Sequence, residues 1–266
     1  MKTDFEMISH KFDKPISIYP IADVHYGAIE HQHAEWLAFC KRLEAEENSY
    51  IVLGGDLINN STRNSVGNGH FDDLVRPREQ KAHMVEFLRP IRHKVIGLVG
   101  GNHEARSARD TDDDPTYDIA AKLDLEDLYR PNAAFIKIGV GIHNRGVGHR
   151  DAPKQTYCVA LVHGTGGGVL PGSSINRVER WGYALSGVDV VIMAHVHKMM
   201  DSHPAKLFVD PRTETVSVRP FHTVICCPWM KYGGYALQKM LLPSTTCQPQ
   251  KLIFYDERRF IGMEIK

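Results

Sequence analysis

The sequence predicts an α/β protein in which parallel strands are covered by helices, and three observations lead there. Short, continuous apolar runs recur along the chain, as in strands buried on both faces. Segments with helical spacing separate the first three of them, an alternation that indicates βαβ units. Finally, neither a composition shift nor an internal repeat nor a low-complexity segment divides residues 1–266, so one domain is expected, with a β-rich part over 199–266.

The first clear strand is Ile16 to Ala22, running into Asp23-Val24-His25-Tyr26-Gly27. Residues 32–46 place Ala34, Leu37, Ala38 and Leu43 at helical spacing. Tyr50 to Leu53 is the next strand and ends in Gly54-Gly55-Asp56. A polar loop follows from Asn59 to Asp73, longer than most connections in compact domains. A helix is expected over 77–92, with Pro77 in its first turn, and then a strand from Lys94 to Val99. That strand breaks on Gly100-Gly101 and delivers Asn102, His103, Glu104 and Arg106 together.

Further on, 115–124 reads as a helix and Ala134 to Val140 as a strand, with a turn-rich connection over 144–155. The strand Tyr157 to Val162 ends in His163-Gly164. Residues 174–185 look helical, and the strand Val188 to Met193 ends in Ala194-His195-Val196-His197. Short strands complete the chain: Lys206 to Val209, Val216 to Val218, Val224 to Cys226, Leu252 to Tyr255 and Phe260 to Ile265. The apolar and aromatic stretch 221–235 is read as core in preference to interface.

Bulk properties exclude several classes. Lys+Arg and Asp+Glu balance at 32 each, so global charge gives no sign of a non-specific nucleic-acid or membrane binder. Five cysteines without CxxC spacing fit reduced thiols in a cytoplasmic protein better than a disulfide or zinc framework. The charged N-terminus lacks the apolar core of a signal peptide, and no apolar run is long enough for a membrane span.

Five apolar strands thus end in polar groups: Asp23/His25, Asp56, Asn102/His103, His163 and His195/His197. In α/β sheets the carboxyl edge of the strands is where ligands bind, so strands sharing a sheet would bring these groups together. Oxygen from Asp and Asn with nitrogen from imidazole suits a pair of divalent cations such as manganese, iron, zinc or magnesium. The i, i+2 spacing of Asp23/His25 and of His195/His197 puts each pair on one side of an extended segment. The glycines before Asp56 let backbone come close to a cation. A bland reading stands beside each piece: a turn for Gly-Asp, a helix cap for Asn102.

The series Asp23-Val24-His25, Gly55-Asp56, Gly101-Asn102-His103-Glu104, His163-Gly164 and Ala194-His195-Val196-His197 resembles the motif order of the calcineurin-like metallophosphoesterase superfamily, over residues 18–198. Ala194 replaces the usual glycine. The resemblance implies a four-layer α/β sandwich, two mixed β-sheets flanked by helices, with the metal site at the carboxyl ends of the strands. It implies that Asp23, His25 and His197 hold one metal, that Asn102, His163 and His195 hold the other, and that Asp56 bridges them. Two cations about 3.5–4 Å apart would clamp a phosphate and activate hydroxide for attack on phosphorus. His103 is then the catalytic histidine, as general acid or phosphate-oxygen donor. Arg106, Asn59 and Gly164 are candidate substrate contacts. Arg106 has a surface ion pair with Glu104 or Asp110 as its alternative, and Glu104 either orients His103 or supports the metal shell. Backbone N–H groups over 164–168 are another candidate phosphate cradle.

Gly55-Asp56 continues as Leu57-Ile58-Asn59-Asn60, without the arginine of the protein serine/threonine phosphatases of this superfamily. That favours the branch of phosphodiesterases and DNA-processing nucleases, and the C-terminal stretch is similar to phosphoesterases of phages and prophages. The expectation is a manganese-dependent phosphodiesterase or nuclease acting on DNA, RNA or nucleotides, with iron, zinc, magnesium, nickel or cobalt as other metals and a homodimer compatible. The alternatives are a phosphomonoesterase and a non-catalytic metal-binding scaffold. Arg63, Arg76 and Arg78 either border a substrate groove or belong to a solvated loop.

Overall fold

A computed structural model describes residues 3–62, 65, 73–143 and 152–265. The chain runs through β1 (Ile8–Phe12), β2 (Ile16–Ile21), α1 (His33–Ala45), β3 (Ser49–Leu53), α2 (Pro77–Leu88) and β4 (Val95–Val99). Helices α3 (Glu104–Thr111) and α4 (Pro115–Lys122) lead to β5 (Tyr129–Arg130), β6 (Ala133–His143) and β7 (Ala152–Val162). Then come α5 (Pro171–Ala184), β8 (Val190–Met193), β9 (Met200–Ser202), β10 (Ala205–Asp210), β11 (Thr215–Pro220) and β12 (His222–Ile225). A short helix α6 (Gly234–Gln238) and strands β13 (Gln250–Phe254) and β14 (Ile261–Ile265) complete it.

The strands form two six-stranded mixed sheets, ordered β14-β13-β2-β3-β4-β5 and β1-β6-β7-β8-β12-β9, and a separate β10-β11 hairpin. In the first sheet β2, β3, β4 and β5 run parallel, as the βαβ reading predicts. In the second, β7, β8 and β12 are parallel, while β6 pairs antiparallel with β7.

Side chains alternate along the strands and sort into layers. Ile16 and Ile18 of β2 face the second sheet, meeting Ile136, Val159 and Val190 in one core, while Tyr19 and Ile21 face α1, α2 and α4 in another. On β8, Val190 and Ile192 point into the inter-sheet core and Val191 and Met193 pack under α5 with Val178. Helices, sheet, sheet and helix make the four-layer sandwich that the motif resemblance implies.

The structure corrects several readings. The site-bearing strands are shared between the two sheets that the resemblance implies, β2, β3 and β4 in the first and β7 and β8 in the second, so one common sheet edge is not what joins them. Helix α1 buries Trp36, Phe39, Cys40 and Leu43, whereas Ala34, Leu37 and Ala38 face outward. The two aromatics carry the larger apolar surface and decide the orientation. Helix α2 stops at Leu88 and a 3-10 segment, Arg89–Lys94, continues to β4. Pro90 has no N–H for the α-helical ladder and ends it there. The helix expected from 174 starts at Pro171. Strand β1 precedes the first expected strand, and α3 stands where no helix was expected. Of the connection over 144–155, residues 144–151 lie outside the described residues and 152–155 belong to β7.

Candidate metal centre

The two sheets present their strand ends to one point because the loops there are laced together. Asp23 and His25 N–H groups donate to the carbonyls of Gly55 (3.1 Å) and Asp56 (3.0 Å), joining the loops after β2 and β3. From the second sheet, Ala194 N–H donates to His163 O (3.0 Å), and His195 N–H donates to the Asp23 carboxylate (3.0 Å to Oδ2). A Cβ on Gly55 would lie 2.5 Å from Gly101 N, and one on Gly101 would lie 2.2 Å from Asp56 N. These glycines therefore let the loops after β3 and β4 press against each other, rather than against a cation as the sequence suggested.

The i, i+2 pairs are not extended. Asp23 (φ 52°), His25 (φ 47°), His195 (φ 72°) and His197 (φ 51°) all adopt the left-handed region, as does Asp56 (φ 50°). Non-glycine residues visit it rarely and at a cost, and such outliers cluster at functional sites. At the ends of β2, β3 and β8 the side chains converge by a sharp backbone twist, not by the pleat of a strand.

All seven expected ligands meet in one cluster. Ligand atoms of Asp23, His25 and His197 lie within 4.8 Å of one another, as do those of Asp56, His163 and His195. Within the first group His197 Nε2 is 3.5 Å from Asp23 Oδ1 and 3.0 Å from His25 Nε2. In the second, Asn102 Oδ1 lies 2.8 Å from His163 Nε2 and 2.6 Å from His195 Nδ1. Asp56 stands between the groups, its Oδ2 3.7 Å from His25 Nε2 and 3.3 Å from His163 Nε2. The side chain of Asn102 is thus turned into the cluster; it does not cap α3.

The electrostatics are those of an acceptor-rich, buried pocket. Burial alone would raise the Asp56 carboxyl, but the imidazoles of His103, His163 and His25 hold it well below the usual carboxylate range. Burial opposes a proton on His163, yet the Asp56 and Asp23 carboxylates overcome it and lift that imidazole to about 10. His25 is driven well below its ordinary value by burial and by His103. A cation satisfies such a cluster better than protons do. The donor set fits a divalent pair: carboxylate and amide oxygens with imidazole nitrogens, and no thiolate. The distal nitrogens are also committed, with His163 Nδ1 donating to Gly54 O (2.8 Å) and His25 Nδ1 to Asn59 Oδ1 (3.3 Å), which leaves Nε2 of each facing inward.

His103 lies at the edge of the cluster, Nε2 3.9 Å from Asp56 Oδ2. Its Nδ1 donates to Asn59 O (2.7 Å), and Arg106 Nη2 donates to its Nε2 (2.9 Å). Burial, with Arg106 adding, lowers its pKa against the pull of Asp56. Arg106 is therefore half-buried beside His103, not in a surface ion pair.

Of the two roles expected for Glu104, support of the metal shell is the one its contacts favour. Its Oε1 accepts from Leu57 N (2.7 Å) and Ile58 N (3.2 Å), and its Oε2 from Asp56 N (3.0 Å) and Gly101 N (3.1 Å). It organises the backbone that carries Asp56 and does not touch His103. A Glu next to His in the sequence gave no signal of this, because the partners are main-chain donors.

A cleft of about 540 Å³ opens over the cluster, lined by His25, Asp56, Asn102, His103, His195 and His197 among others. Asn59 and Arg106 line it, Asn59 with its amide engaged by His25, Ser61 and Asp73. Gly164 does not line it, whereas Gly166, Gly167 and Gly168 do. Arg76 and Arg78 are exposed and away from it; Arg63 lies outside the described residues. The stretch 221–235 divides: Phe221 to Trp229 is largely core, as expected, but Met230 to Tyr235 forms cleft wall, which sequence reasoning missed.

A two-sheet sandwich with carboxylates and imidazoles gathered at its strand ends has the make-up of a metal-dependent hydrolase. Residues 16–199 match the calcineurin-like phosphoesterase family, and the chain belongs to it. It is accordingly a hydrolase acting on phosphoester bonds, and the family together with the Asp/His clusters points to divalent metal binding. Among solved structures, a conserved uncharacterized protein from Streptococcus pneumoniae TIGR4, described as a predicted phosphoesterase, aligns over 95% of this chain and 98% of its own. Its identity is 8% and its TM-score 0.36, a likeness too low to argue from. No curated protein matches the sequence. No helix among the described residues is long and apolar enough to cross a membrane.

Proposed function

We propose that this phosphoesterase is a phosphodiesterase acting on nucleotides or nucleic acid, with a pair of divalent cations, manganese first among them, held by Asp23, His25, Asp56, Asn102, His163, His195 and His197. The observation that carries the reading is the cleft: at about 540 Å³, and lined well past the cluster as far as Thr246, it is larger than a phosphate group needs and suits a substrate with substituents on the phosphorus atom. Its charge points the same way. After Asp56 the chain continues into buried Leu57 and Ile58, so no arginine follows the aspartate directly to help bind a monoester dianion. The diester has one negative charge, and Arg106 answers it.

When bound, the cations supply Lewis acidity at the phosphate oxygens and a nucleophile drawn from water. Asp56 holds the two ligand groups at a fixed separation. His103 is oriented by its Nδ1 bond to Asn59 O, which keeps Nε2 toward the cleft. A phosphate oxygen takes over the hydrogens of Arg106 now given to His103, a charge-assisted contact. Nε2, released from Arg106, would then take up a proton from water in the cleft, and the imidazolium so formed would pass it to the leaving oxygen.

The test is hydrolysis of bis-p-nitrophenyl phosphate against p-nitrophenyl phosphate by manganese-loaded protein, with His103→Ala and Asp56→Asn alongside. Diester preference is expected. His103→Ala should retain metal and lose about 10²- to 10⁴-fold in kcat, the usual weight of general acid–base catalysis. Monoester preference would replace the diesterase with a phosphatase, and bound metal without turnover would leave a scaffold.

A further inference from the structure

Nearly half of the cleft's lining comes from between Pro228 and Thr246, beyond the segment that matches the family. This stretch is fastened to the site. Trp229 N–H donates to Asp23 O (3.0 Å), and its indole packs on Trp36 and Phe39, with ring centroids 5.2 and 5.1 Å away. Cys247 N–H donates to Pro228 O (3.0 Å), so the two ends of the loop are tied together. Tyr232 OH donates to Leu241 O (2.7 Å) across it. The loop is a built wall standing over the metal centre.

What it presents is aromatic. Tyr232 and Tyr235 both line the cleft, and they remain 45% and 49% exposed. Among the described residues neither ring stacks on another ring, and Tyr235 has only the Lys239 ammonium at 5.9 Å from its centroid. Gly166 to Gly168 also line the cleft and put no side chain into it, and a Cβ on Gly167 would meet nothing within 4 Å. Lys231 and Arg106 line the same space and carry positive charge beside it. Free aromatic faces, a part of the same cleft without side chains, and the cations that line it with Glu30 suit a flat, uncharged ring attached to a phosphate.

We propose that Tyr232 and Tyr235 form a nucleobase-stacking subsite, so that the loop 228–247 sets the substrate class of the centre. The proposal rests on the phosphodiesterase reading for its position next to the scissile bond, but base binding can be measured without turnover. Stacking of one base on one ring changes affinity by about tenfold and tolerates any base, because every base has a π-face.

Thymidine 5′-p-nitrophenyl phosphate and methyl p-nitrophenyl phosphate share a leaving group and differ by the nucleoside. With manganese-loaded full-length protein, kcat/KM is expected to favour the nucleoside ester about tenfold or more. Tyr235→Ala, and more so Tyr232→Ala combined with it, should collapse that ratio through KM, and Tyr235→Phe should keep it. An unchanged ratio in the double variant overturns the subsite. If neither diester is turned over, the phosphodiesterase reading fails, and equilibrium binding of AMP against inorganic phosphate decides the subsite alone. AMP binding about tenfold tighter, with the advantage lost in the double variant, upholds it; equal affinity of the two in the unsubstituted protein overturns it.

Discussion

Replacing Glu104 by Gln tests whether one carboxylate holds the loop that carries Asp56. Both oxygens of Glu104 are in use, each accepting from two buried main-chain N–H groups. A glutamine keeps one oxygen and turns an NH2 group toward the other pair of N–H donors. Two buried donors are then unsatisfied, at about 1–3 kcal/mol each, so a loss near 3 kcal/mol is expected after some relaxation. The pair left facing NH2 includes either Asp56 N or the adjacent Leu57 N, so the Asp56 carboxylate shifts with the backbone. Disturbing such a support costs about 10- to 100-fold in metal affinity. Burial and the Asp56 charge push Glu104 up to about 7, against the Ile58 N–H and His163, so the comparison belongs at pH 8, where the carboxylate is ionised. Urea unfolding of the metal-free proteins gives the stability change, and calorimetric titration with manganese gives the affinity. A stability change below about 0.5 kcal/mol, the range of neutral surface substitutions, with unchanged manganese affinity, would refute the reasoning.

Saturating manganese should raise the melting temperature and a chelator should reverse it, because a ligand bound only by the folded state adds about 2.7 kcal/mol at a hundred times its Kd; Asp56→Asn should blunt this response in a thermal scan. Glu46 joins the end of α1 to β2 and β13, accepting from Tyr19 OH (3.0 Å) and Lys251 Nζ (2.6 Å). Burial would raise its carboxyl, but these two bonds prevail and lower it. A depressed folded pKa means stabilisation present above the ordinary value and lost as pH falls through the folded one. Glu46→Gln should therefore melt lower than the parent at pH 7, with the gap closing below about pH 4.

The site was easier to read from the sequence than the scaffold, for physical reasons. Strands such as β2, β3 and β8 are buried on both faces, and that demand writes itself as an apolar run ending where polar groups begin. The same property hides the division into two sheets, since a run buried between helix and sheet looks alike in either. Strand β1 buries only Ile8, so His10 and Lys11 gave no run to notice. Helix α3 buries only Glu104, so no apolar stripe announced it. The aromatic wall at Met230 to Tyr235 read as core because exposure, not composition, distinguishes it from the buried Trp229 just before it.

Five of the candidate ligands sit in backbone conformations that suit glycine better than aspartate or histidine. Each costs about 1 kcal/mol or more, a total comparable with the net stability of an ordinary domain. The centre is thus a standing debt of the fold, tolerated only while hydrolysis is selected. A lineage released from that selection and from a supply of the metal has a downhill path: His195→Gly or His197→Gly relaxes the chain and discards a ligand in one step. Directed evolution for heat resistance in a metal-free medium would be drawn the same way, which makes an activity screen the necessary companion of such an attempt to harden this protein.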